Sequence, residues 1–138
     1  MSISEADKNI AAALDIHLNA MPASPPVAWE NIEFTPPEGP WLRPTLLPGD
    51  TTQGSMGDDG YNEYQGLYQV SVFTPRGIGR GQALAETEKI IEHFARGTSL
   101  TAGGQSLRIR VASRLAAVVE PNWYHIPVQI AWTAHANP

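Results

Sequence analysis

Apolar residues fall at two spacings along the chain, and the change from one to the other marks out its elements. Ile10, Leu14, Leu18 and Met21 recur three or four residues apart, so one stripe of a helix faces the rest of the domain. The helix is expected to start with Ser4 as N-cap and Asp7 three residues on, where side-chain oxygens satisfy first-turn amides, and Pro22 ends it. Pro22, Pro25 and Pro26 force an extended connector into a strand over 27–34, which Pro36, Pro37 and Pro40 break. The window 41–47 is extended too, and Pro44, which has no amide to donate, assigns it to a sheet edge. After a long irregular stretch, 48–62, a strand over 66–74 sets Tyr68, Val70 and Val72 against Leu67, Gln69, Ser71 and Phe73. Its two faces both carry apolar residues, as a central strand requires.

A turn at Thr74-Pro75-Arg76-Gly77 leads into a helix over 79–95, with Leu84, Thr87, Ile91 and Phe94 on one stripe and Ile90 beside it. Glu86, Lys89, Glu92 and Arg96 point to water. Beyond a Gly103-Gly104 turn, Leu107, Ile109 and Val111 alternate with Arg108 and Arg110. A hairpin then runs through 114–119, turns at Glu120-Pro121-Asn122 and returns over 123–133, with Ile126, Val128, Ile130 and Trp132 on one face. The order α-β-β-β-α-β-β-β predicts one α+β domain over residues 1–138. It has an antiparallel or mixed sheet of about five or six strands and two helices packed on one side.

Composition narrows the function without naming it. The chain has 138 residues, 42% of them hydrophobic and 17% charged, enough for a sizeable core. A net charge of -5 argues against nonspecific coating of nucleic acid, which needs clustered Lys and Arg. With no cysteine there is no disulfide framework, thiolate metal site or Cys nucleophile. The N-terminus lacks a basic region followed by an apolar run, and no window is apolar for the length of a membrane span. The expectation is a soluble chain that is not secreted and has no membrane partner.

Candidate catalytic or ligand sites are weak. His17, His93, His125 and His135 lie on separate elements without metal-ligand spacing. Asp58-Asp59-Gly60, with Asp50 nearby, lacks the calcium-loop series and reads as a solvated turn. Gly77-Ile78-Gly79-Arg80-Gly81 falls short of Gly-x-Gly-x-x-Gly and of a P-loop, and reads as a flexible turn into the helix. There is no Gly-x-Ser-x-Gly elbow, and local spacing assembles no Ser-His-Asp set. No catalytic residue, cofactor or metal is expected. Arginine is the unusual feature, supplying seven of the nine basic residues, and its planar fork suits interfaces through bidentate carboxylate contacts and aromatic stacking. Arg108 and Arg110 must share a strand face, and Arg114 follows them. That stripe could line a ring or meet acidic residues of a neighbour, or be an ordinary solvated face. Trp132 is expected in the core, whereas Trp41, beside a Pro-rich edge, is the better interface anchor. The candidate interface residues are Trp41, Arg43, Arg76, Arg80, Arg108, Arg110 and Arg114.

The order of these pieces resembles the small tail terminator proteins of long-tailed bacteriophages. The resemblance rests on Trp29, Phe34, Pro36 and Pro37; Trp41-Leu42-Arg43; Gly66-Leu67-Tyr68-Gln69-Val70; Phe94-Ala95-Arg96-Gly97-Thr98; Gly103-Gly104; and Trp123, Pro127 and Val128. It implies a sheet with helices on one side and a hexameric ring that caps the tail tube, stops its polymerisation and offers its other face to the head connector or stopper. It further implies that genomic DNA passes through the lumen without specific binding. Such a subunit assembles in the host cytoplasm, resides at the head-proximal end of the virion tail and does no catalysis. A head-tail joining or tail-tube protein of the same particle is the near alternative. A small α+β enzyme or ligand-binding domain is the distant one, which a deep pocket with a perturbed titrating group would reveal.

Overall fold

A computed structural model describes residues 3–53 and 62–136. Helix α1 (Ile3–Asn19) precedes strands β1 (Trp41–Gln53) and β2 (Asn62–Pro75); helix α2 (Gly81–His93) follows. Four more strands complete the chain: β3 (Ser99–Ala102), β4 (Gln105–Arg114), β5 (Val118–Val119) and β6 (Trp123–Ala136). Every strand pairing is antiparallel, in the order β1-β2-β6-β4-β3, with β5 continuing along β6 beyond the end of β4.

Both helices lie on one face of the sheet. Ile10, Leu14, Leu18 and Met21 of α1 are buried, as the helical spacing predicts, together with Ile90 and Phe94 of the α2 region. They meet the even-numbered positions of the long strands: Tyr68, Val70 and Val72 of β2, and Val128, Ile130 and Trp132 of β6. A fully buried Leu, Ile, Val or Phe contributes roughly 1.5–3 kcal/mol of transfer free energy, so this layer dominates stability. On α2 the buried stripe is Ala83, Thr87, Ile90 and, just past the helix, Phe94. Leu84 and Ile91 are only partly covered, so the inward face is rotated slightly from the predicted one.

The predicted strand over 27–34 does not form. Only Val27 bridges Leu42, and Ile32 donates its amide to the Trp29 carbonyl at 3.2 Å across a turn in which Asn31 takes a φ of 57°. Asparagine tolerates that left-handed conformation, and a strand cannot pass through it. The segment instead covers the outer edge of β1: Ala28 donates to the Leu42 carbonyl and the Leu42 amide donates to the Pro26 carbonyl. Pro44 shares Leu42's parity, so its missing amide faces outward, where the edge assignment required it. The irregular stretch expected over 48–62 is shorter, because β1 runs to Gln53 and β2 starts at Asn62. The side chains of Ser4, Asp7 and Asp50, and all of Asp58-Asp59-Gly60, lie outside the described residues.

Strand β3 is an addition to the predicted order. It forms a hairpin with β4 through Gly103 and Gly104, whose φ angles of 57° and 80° are the two positive values a type I′ turn needs. A further unpredicted feature is a register shift in β4 between Ile109 and Val111. Before the bulge, Leu107 and Ile109 face the helices; after it, Ala112 and Arg114 do.

Candidate assembly surfaces

Among the described residues, one face of the sheet carries no helix, and its character follows from register. Leu47 pairs with Leu67, Leu67 with Ala131, and Ala131 with Val111, so four apolar side chains form a row across four strands. The next row is Thr45, Gln69, Gln129 and Ser113, all uncharged and polar. Val111 is 52% exposed. This row was invisible in the sequence, because its members come from four separate segments and meet only through the pairing.

At one end of the same face sits an aromatic block. Trp41 stacks on Phe73 with ring centres 4.0 Å apart and 7° between planes, and meets Trp123 edge-on at 5.6 Å. Phe34 packs beside Trp41, His125 lies against Phe73, and the Arg43 guanidinium sits 4.8 Å above the Phe73 ring. Trp41 is on the edge strand, yet only 7% exposed, so in the isolated chain it is a packing residue. Burial holds the His125 imidazole below its usual pKa, and the nearby Arg43 charge adds to this while Glu120 opposes it. Trp132 is buried in the core, as expected.

The structure distributes the other arginines among three places. Arg76 and Arg80 are exposed in the turn before α2, far along the chain from the β4 set. Arg108 and Arg110 are exposed and line a groove of about 570 Å³ with Arg96, for which the helical spacing predicts only solvent. Arg114, beyond the bulge, turns to the helix side, where its Nε donates to Thr87 Oγ1 and its guanidinium pairs with Glu88 at 2.7 Å. The three residues that follow one another in sequence are therefore split by the bulge. Among the described residues, no ion pair engages Arg96, Arg108 or Arg110.

Between the helices, His17 and His93 stack with ring centres 3.9 Å apart, and each donates from Nε2 to the other's backbone carbonyl, at 2.7 and 2.6 Å. Burial and the neighbouring ring lower the His17 pKa. Tyr68 donates to Asp15 Oδ1 at 2.6 Å; burial raises the Asp15 pKa, and burial next to that carboxylate pushes the Tyr68 hydroxyl far upward. Both arrangements join helices to each other or to the sheet through satisfied polar groups. Among the described residues no group of three or more His, Cys, Asp or Glu converges as a metal site. Among the described residues, no helix is long and apolar enough to cross a membrane.

The site is thus a set of surfaces and not a pocket: a helix-free sheet face with one apolar row, and arginines without an ion pair among the described residues. The chain belongs to the phage tail terminator protein family, whose profile it matches over residues 9–132. That membership gives it a structural role in a phage tail. One solved chain without a functional name shares 28% identity and a TM-score of 0.71, with 94% of this chain and 95% of that one aligned. A second, from the virion of a native gene transfer agent particle, shares the fold at 18% identity and a TM-score of 0.61 over 96% and 98% of the two chains. No curated protein sequence matches significantly.

Proposed function

We propose that copies of this chain form a ring, six by resemblance to the family, that caps the tail tube, ends its polymerisation and offers its opposite face to the head connector. The observation that carries this reading is the family match over residues 9–132, from within α1 into β6. The bare sheet face, with Val111 and Leu47 exposed, supplies surface for neighbours. The mechanism is steric and interfacial. One ring face complements the last ring of the tube, and the other lacks the surface that the next tube subunit would need. No covalent step is required of the chain. A net charge of -5 suits a lumen through which DNA passes without being held. Assembly takes place in the host cytoplasm, and the ring ends at the head-proximal end of the tail.

The test is elongation of purified tail tubes from tube protein. Added chain is expected to label one end of each tube and stop growth there, at a ratio of one ring per tube. Tubes that lengthen unchanged, with no end-bound density, would refute the proposal.

A further inference from the structure

Two surfaces of opposite charge sit at opposite edges of the sheet. Helix α1 crosses the helix-covered face diagonally: Asn9 donates to the Gly103 carbonyl at the β3 edge, and the C-terminal half approaches the Val27–Leu42 bridge at the β1 edge. There, α1 and the turn at 29–32 bound an open cleft of about 610 Å³. Asp15 and Glu30 supply its charge, no basic residue lines it among the described residues, and Ile16 and Ile32 stand on its rim 65% and 64% exposed. The two isoleucines add apolar surface beside the acidic groups, which a partner seated in the cleft would cover. At the β4 side, the arginine groove has the complementary composition. Arg96, Arg108 and Arg110 line it with Val111, and among the described residues no acidic side chain does.

We infer that the arginine groove of one copy seats against the acidic cleft of the next. The guanidiniums of Arg108 and Arg110 face the carboxylates of Asp15 and Glu30, and Val111 lies over Ile16 and Ile32. Arginine and carboxylate match in bidentate geometry, and the isoleucines exclude water around the pairs. Because cleft and groove lie at opposite edges, one chain cannot satisfy its own pair. Each copy accepts one neighbour and is accepted by another, a heterologous contact, which gives a ring when its rotation closes and an open filament when it does not. The inference rests on the proposed ring and adds which surfaces build it.

The chain has no cysteine, so single cysteines can be placed without background. The experiment uses full-length Asn19→Cys and Ser113→Cys chains, beside the cleft and the groove but outside the proposed charge pairs, separately and mixed, with a short bis-maleimide and in parallel with light scattering of the wild type. Both positions are exposed, so neither substitution threatens the core. The mixture is expected to give a cross-linked dimer that neither variant gives alone. The doubly substituted chain is expected to give a ladder ending in one closed oligomer, and Arg108→Glu in that background is expected to abolish it. Cross-links between like positions, or none in any combination while the wild type runs as an oligomer, would overturn this contact and leave the ring standing. No cross-link with a wild type that stays monomeric in solution and on tubes would overturn both.

Discussion

Individual side chains do two separable jobs here, holding the fold and facing outward. Trp41 belongs to the first: stacked on Phe73 and met by Trp123, it resembles a buried aromatic whose truncation costs about 3–5 kcal/mol. Arg43 above the same ring contributes roughly 0.5–1 kcal/mol as a cation over an aromatic face. Urea unfolding should therefore show a much larger midpoint loss for Trp41→Ala than for Arg43→Ala, and equal losses would contradict the packing role. His17 gives the fold a pH dependence of defined sign. The folded state holds His17 below its ordinary value of 6.5, so the unfolded chain binds the proton first as pH falls. This contribution is complete above about pH 6.5 and is lost as pH drops through the folded value. The urea midpoint should fall between pH 7.5 and 5.5 by more in the wild type than in His17→Gln, which keeps a donor for the His93 carbonyl and does not charge. An identical fall in both would place the dependence elsewhere, for instance on His125.

Elements show what a sequence can and cannot disclose. The long β2 and β6 strands and the α1 stripe were legible, because period is a property of one segment: Ile10 to Met21 bury one side, and Ile126 to Trp132 another. The window 27–34 misled for the converse reason. Apolar residues at Val27 and Trp29 satisfy a strand pattern, but a strand also needs a ladder partner, and Asn31 turns the chain away after one bridge. Strand β3, four residues long, is too short to show a period and exists because the Gly103-Gly104 turn folds it onto β4. A Cβ at Gly103 would meet the Asn9 side chain and strain a φ of 57°. Gly103→Ala should accordingly lose about 1 kcal/mol or more, a fall in melting temperature of roughly 3–6 °C; an unchanged melting temperature would show that the turn relaxes freely. The surfaces were only partly legible. Arginine enrichment could be counted, but the bulge that parts Arg114 from Arg108, and the turn that brings Arg96 to them, are products of tertiary pairing.

At the scale of the whole molecule, the described residues cover one sheet face with helices and not the other, while charge divides between the β1 and β4 sides. A monomeric binding domain has no use for that division, whereas a head-to-tail ring depends on it. If the contact is carried by exposed ion pairs around a small apolar centre, the assembled fraction at fixed concentration should fall as salt is raised from about 0.05 to 0.5 M, since such pairs are screened. The most direct test of the central claim is the mass of the purified chain by light scattering over a concentration series, with negative-stain images of the chain alone and on tail tubes. Six chains of 15.0 kDa, about 90 kDa in all, with rings in the images or at tube ends, is the predicted result. One-chain mass at every concentration, with bare tube ends, would contradict it.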